Sequence, residues 1–170
     1  MSGIRETKST GARRTYLGIS RGVIRKTNDA TGMQEVEVEV YKGEVHPNAE
    51  HWHPFGFTSR PKGPDGGKHA EALIAYPSGS RSHPIVIAVA DRRHRPKDLK
   101  EGETVLHDSN GQTVHFTEAG IVISSAKKLT IKVGGISVVV TPEKVLLGGE
   151  GATKRVKLED GSNATKVFAL

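Results

Sequence analysis

Cysteine is absent from this 170-residue chain. That excludes a disulfide framework, a thiolate nucleophile and any Cys-ligated metal site. Aromatic residues make up 5% of the chain, too few to pave a stacking surface for single-stranded nucleic acid. No apolar run approaches the roughly 18 residues that a membrane-spanning helix needs. The start of the chain lacks the apolar core of a secretory signal, so synthesis and first residence in the cytoplasm are expected. No segment combines helical length with a 3.6-residue apolar period. The apolar fraction of 35% is lean for a self-contained core.

What the chain has in quantity is short apolar strands. From Glu103 onward they follow one another closely: Thr104-Val105-Leu106-His107, Gln112-Thr113-Val114-His115-Phe116, Ile121-Val122-Ile123-Ser124, Leu129-Thr130-Ile131-Lys132-Val133, Ile136-Ser137-Val138-Val139-Val140 and Val145-Leu146-Leu147. Gly, Asn, Asp and Pro punctuate them, which is the signature of an all-β segment. Nothing in the chain supplies a helical layer to cover these strands, so they need partners from outside the chain. A rod of intertwined identical chains supplies them. In such a rod, with identical chains around a common axis, Val114, Ile123, Ile131, Val138 and Val140 are the expected axis-facing residues.

Before this half, residues 16–91 read as a small β-barrel. Gln34 to Tyr41 alternates acid and valine strictly, one face in and one face out. The stretch Leu17 to Arg25 carries Gly22 inside it, and a strand glycine marks a bulge or a corner. His69 to Tyr76 and His83 to Ala90 complete the set, joined by a turn at Pro77-Ser78-Gly79-Ser80. Short strands bending at glycine suit an OB-like barrel. The segment Gly43 to Lys68, rich in Pro, Gly and His, reads as a long loop of the kind that contacts a partner.

The net charge is +6. Residues 1–15, with Arg5, Lys8, Arg13 and Arg14, read as a flexible basic arm, and residues 92–102, opening on Arg92-Arg93-His94-Arg95, as a linker. Basic arms neutralise phosphates, but without stacking aromatics the arm and the junction read as solvated, and no specific nucleic acid is expected.

Phe55-Gly56-Phe57-Thr58-Ser59-Arg60-Pro61, then Ala70-Glu71-Ala72-Leu73, then Val86 through Pro96 form one ordered set of motifs. Gly102-Glu103, Leu106-His107-Asp108, Gly111-Gln112, His115-Phe116-Thr117 and Gly120-Ile121 continue it. Over about Tyr16 to Ser124 this set resembles the baseplate spike proteins of Mu-like contractile tails. The resemblance implies a homotrimeric, cell-puncturing device of the virion tail baseplate or of a tailocin, assembled in the host cytoplasm. An OB collar would dock on a tail hub protein. A triple-stranded β-helical needle over 103–170 would penetrate the host outer membrane mechanically. The fold class expected is thus all-β, an N-terminal OB-like barrel followed by an intertwined trimeric β-helix or β-prism.

Spikes of this family and of the related phage P2 carry a His-x-His motif near the needle tip, where three chains place six imidazoles around an iron ion. Here the last histidine is His115, and Gly148 to Leu170 offers only Glu150, Glu159 and Asp160 as hard-cation ligands. A tip iron is therefore not carried over, and no cofactor or metal is expected. Val156, Leu158, Val167, Phe168 and Leu170 read as final short strands that close a blunt end or, with the apolar Phe168 and Leu170 as a docking patch, receive a separate tip protein. His51-Trp52-His53 has the motif's letters but precedes Phe55-Gly56-Phe57 in the collar. Two histidines do not close a site, and the loop reading has Trp52 anchored on the barrel with His51 and His53 solvated or bonded to backbone.

No catalytic constellation emerges, so the chain reads as a non-enzyme. Ser109-Asn110-Gly111 is a turn rather than a nucleophile elbow, and Gly63-Pro64-Asp65-Gly66-Gly67-Lys68 lacks the Gly-Lys-Ser/Thr ending of a phosphate loop. Set against the spike is an OB-fold nucleic-acid-binding module with an oligomerising β stalk. Tyr16, Tyr41, Phe55 and Phe57 are too dispersed in sequence to give it a stacking patch.

Overall fold

In the computed structural model, which describes residues 18–170, every element longer than one turn is a strand. The basic arm expected over 1–15 lies outside the described residues. Contacts divide the chain into two compact units, one ending at Arg95 and one spanning Pro96–Leu170.

The first unit is a closed barrel of β1 (Ile19–Asn28), β2 (Glu35–Tyr41), β3 (Glu44–His51), β4 (Glu71–Ala75) and β5 (Ile85–Ala90). The strands are ordered β1-β2-β3-β5-β4, and β4 returns to β1 to close the ring. All neighbours are antiparallel except β3 and β5. The alternation of β2 works as its pattern predicts. Val36 and Val38 are fully buried with Ile24, Ala49, Ala72, Ile74 and Val86, while the glutamates between them face outward.

Two glycines carry this closure. Gly22 lies where β1 passes between β2 and β4, and a Cβ there would stand 2.7 Å from the Glu39 carbonyl oxygen and 2.9 Å from Ile74 Cδ1. Gly43 turns β2 into β3 through the two-residue link Lys42-Gly43, at φ +84°. Tight hairpin links of this kind need left-handed residues, which glycine adopts without strain.

That hairpin corrects the reading of Gly43 to Lys68 as a loop, because its first third is β3. Register shifts on either side of Val38 change which β3 side chains turn inward, and Pro47 interrupts the pattern. The strand therefore lacks the alternation by which strands are recognised.

The second unit contains two sheets. β6 (Thr104–His107), β7 (Thr113–Thr117) and β8 (Gly120–Ser124) form a three-stranded antiparallel meander. β9 (Leu129–Val133), β10 (Ile136–Val140), β11 (Val145–Leu147), β12 (Lys154–Lys157) and β13 (Asn163–Ala169) form the other, ordered β12-β13-β11-β10-β9. β13 runs parallel to β11, pairing Leu146 with Phe168, and Leu170 N–H donates to the Leu147 carbonyl at 3.2 Å.

The chain end thus folds back beside β11. Phe168 packs on the small cluster of Val139, Leu146 and Ala152, with Lys144 and Arg155 near its ring. The expectation of a terminal apolar patch therefore fails for Phe168, because parallel pairing with β11 returns it to a covered face; Leu170 stays exposed.

Replacing Gly22 with Ala should lower barrel stability by about 1–3 kcal/mol, because the Glu39 carbonyl is backbone and cannot swing away as the Ile74 methyl can. Urea unfolding followed by Trp52 fluorescence measures it, and an unchanged midpoint would contradict the close approach.

Candidate functional site

The pairing registers sort side chains by face, since directly opposed residues project on the same side of a sheet. In the meander, Leu106, Val114 and Ile123 line up across the strands, as do Phe116 and Ile121 in the neighbouring row. In the larger sheet Val133 pairs with Ile136, Ile131 with Val138 and Leu129 with Val140, and β11 continues these rows with Val145 and Leu147. Each sheet therefore gathers most of its apolar residues on one face, with Val105 and Val122 on the other face of the meander and Val139 and Leu146 on the other face of the larger sheet.

Those faces are open. Val133 is 81% exposed and Ile136 72%, and Leu106, Phe116, Ile121, Ile123, Ile131, Val140 and Leu147 are exposed as well. The only buried cluster of this unit lies on the opposite face of the larger sheet, around Val139 and Leu146. The expected axis-facing residues Val114, Ile123, Ile131, Val138 and Val140 all lie on the two open faces. An uncovered apolar face on this scale marks an association surface.

The turns between these strands are built for stiffness. Asp108 accepts hydrogen bonds from the backbone N–H groups of Asn110 (2.8 Å) and Gln112 (2.9 Å) and from both side-chain amides. The Gln112 side chain and backbone, then Asn110, hold its carboxyl far below the usual carboxylate range. Ser109 takes no part in this cage, so the Asp108-Ser109-Asn110-Gly111 segment is a turn, as read from its sequence. Glu103 is likewise held low, first by the Lys100 backbone N–H and then by His115.

In the barrel, Gly63 to Lys68 presents carbonyls to a cation rather than amides to an anion. The Arg93 guanidinium donates to the carbonyls of Lys62 (3.2 Å), Gly63 (3.0 Å) and Lys68 (3.0 Å), and to Asp91 Oδ2 at 2.6 Å. Arg93 thus staples the segment to the end of β5. It is not a solvated junction residue, whereas Arg92 and Arg95 are exposed.

His51, His53 and Trp52 stand differently from the loop reading. His51 ends β3 inside the barrel, and its Nδ1 is 2.7 Å from Gln34 Oε1. Gln34 uses its amide nitrogen on Asp29 Oδ1 (2.7 Å) and the Ser59 carbonyl (3.1 Å), so its oxygen is the acceptor and His51 Nδ1 the donor. Burial, and then the neighbouring His53 ring at a centroid distance of 4.0 Å, pushes the His51 pKa down to about 4. Trp52 is 54% exposed and donates to Glu50 Oε2 at 3.0 Å, so it does not anchor on the barrel. Among the described residues no three His, Cys, Asp or Glu side chains are grouped to hold a metal ion. The sequence had no signal for the burial of His51, which depends on Gln34 reaching it from just before β2.

Residues 21–93 match the family model described as Bacteriophage Mu Gp45, N-terminal. The chain is 34% identical over 116 residues to the Mu-like prophage FluMu protein gp45 of Haemophilus influenzae; the match covers 68% of this chain and 60% of that protein. It is 29% identical over 162 residues to the baseplate puncturing device gp45 of Escherichia phage Mu, covering 93% of this chain and 80% of that one.

Because His51 is buried neutral, the unfolded chain binds its proton more readily than the folded one between pH 6.5 and about 4. Its contribution is whole above pH 6.5 and is lost as pH falls through that window, by roughly 3 kcal/mol. His51→Asn keeps a donor toward Gln34 and does not titrate. Its unfolding free energy should fall less steeply over the window than that of the wild type, and parallel pH profiles would show that His51 is not the titrating group.

Proposed function

The chain belongs with the Mu-like baseplate spike proteins, and from that kinship we propose that it is the trimeric central spike of a contractile tail. In this reading the barrel is an OB-type collar docked on a tail hub protein. Residues 103–170 form a needle of three intertwined chains, with a separate tip protein at its far end. The needle pierces the host outer membrane when the sheath contracts, and no bond is cleaved by this chain.

The observation that carries the reading is the pair of open apolar sheet faces in the second unit. A sheet with one apolar face needs a second layer. Cyclic symmetry supplies it from identical chains, each offering its own apolar face toward a common axis. Each side chain so covered contributes about 1.5–3 kcal/mol. Pairing the strand edges between chains would also leave no free edge to fray, which suits a part that transmits force.

The kinship supports the collar and the virion baseplate location. The strand order β1-β2-β3-β5-β4, closed by β4 on β1, supports the OB assignment. The absence of a catalytic role is supported by the structural character of the relatives and by the turn at Asp108, whose carboxylate is taken up by Asn110 and Gln112.

Sedimentation of the purified chain should give three times its 18.3 kDa mass. Ile123→Asp combined with Ile131→Asp should yield monomers whose barrel stays folded, because the barrel core shares no residue with the open faces. A folded wild-type monomer at low micromolar concentration would refute the trimer.

A further inference from the structure

The outer surface of the barrel is strongly uneven. On β2 it is acidic, with Glu35, Glu37 and Glu39. Around β4 and β5 it is apolar, with Leu73 40% exposed and Ile87, Ala88 and Ala90 exposed beside it. The registers place Leu73 opposite Ala88 and Glu71 opposite Ala90. Between them lies a shallow hollow of about 190 Å³, floored by Leu73, Ala88, Val89 and Ala90. Its rim carries Arg21 and Glu71, and the exposed Arg92 pairs with the same Glu71 carboxylate from just beyond the rim. An apolar floor under guanidinium groups is the chemistry that receives an aromatic ring, which gains contact area below and cation–π attraction at the edge.

The same chain carries an uncovered aromatic of the right kind. Phe55 is fully exposed at a tight turn closed by Phe57 N–H to the Pro54 carbonyl at 3.0 Å, with Phe57 and Trp52 exposed beside it. The segment holding this turn is anchored along its length. Ser59 O accepts from Gln34, Arg60 donates to the Thr27 carbonyl at 3.3 Å, and Arg93 grips the carbonyls of Lys62 and Gly63. The ring is thus held out on a fixed support rather than on a free loop, which removes much of the entropy cost of docking it. Charge agrees as well: Glu50, exposed beneath Trp52, stands on the aromatic side, and the two guanidinium groups stand on the other.

We propose that Phe55 of one copy of this chain seats in the Leu73–Ala88–Ala90 hollow of the next copy, so that the collars lock head to tail into a ring. The contact joins two different patches, so it is heterologous and closes only if the rotation between copies closes. Three-fold symmetry meets that condition, and the proposal rests on the trimer reading above. The collar then adds its own lock to the association made by the sheets of the second unit.

The test uses the full chain with the photoreactive p-benzoylphenylalanine in place of Phe55, illuminated in trimers mixed from isotopically light and heavy chains. The expected product joins position 55 of one chain to the peptide containing Leu73 or Ala88 of the other, and appears as a light–heavy pair by mass spectrometry. Leu73→Glu in the same background should cut its yield about tenfold, as loss of a buried anchor does, while sedimentation still gives a trimer. Products confined within one chain, or joined to a different part of the neighbouring chain, overturn the proposal and leave the trimer standing. A monomer in sedimentation overturns both. Capture of a hub protein at position 55 in intact particles, without the chain-to-chain product, overturns the proposal in favour of a hub contact.

Discussion

Everything in the second unit depends on one imbalance: its strands carry more apolar surface than the unit itself can cover. A sheet is stable when its apolar face meets another layer, and here the larger sheet covers only the face around Val139, Leu146 and Phe168. The rows led by Ile131 and Val133, and those led by Val114 and Ile123 in the meander, face outward. Water exclusion from such faces is the dominant favourable term in association as in folding. On the proposed trimer reading, stability and assembly of this unit are the same process, and its stability depends on chain concentration.

The barrel obeys the opposite logic. Ile24, Val36, Val38, Ile74 and Val86 are wholly buried, and closure of β4 on β1 leaves no open sheet edge. The ring closes tightly because Gly22 permits β1 to approach the β2 backbone. One chain therefore joins a part whose core is complete within the chain to a part that leaves apolar faces uncovered. Mutations should separate accordingly, with core changes in the barrel affecting its own unfolding and changes on the open faces affecting association.

How much of this the sequence revealed follows from the reach of each interaction. Valine–glutamate alternation marked β2, and Gly- and Asn-bearing turns marked the strands after Glu103, because those signals are local. The residues expected at an axis, from Val114 to Val140, share the open faces because pairing across two- to four-residue turns is nearly determined by turn length. What was missed depended on distant partners. β3 hid behind Pro47 and two register shifts, although Lys42-Gly43 after the alternating β2 was a readable hairpin turn. Trp52 turned outward because Glu50 offers its indole N–H an exposed partner. Phe168 was placed at an apex because sequence order alone does not show that β13 returns parallel to β11.

Charge shows the same contrast between composition and structure. A net charge of +6 invites a polyanion. In the barrel, however, Arg25 pairs with Glu39, Arg81 with Glu44 while lying 4.6 Å from the Tyr76 ring, and Arg21 and Arg92 with Glu71. Arg93 is taken up by Asp91 and three carbonyls. Glu39, Glu44 and Glu71 are all held below their ordinary pKa, first by the arginine each one bonds, so these pairs persist well into acid. A phosphate approaching this surface would have to displace a carboxylate from each guanidinium it contacted. Arg21, Arg25, Arg81, Arg92 and Arg93 are thus engaged across strands and between loop and strand, where they brace the barrel, and at these positions this favours the spike over the nucleic-acid module.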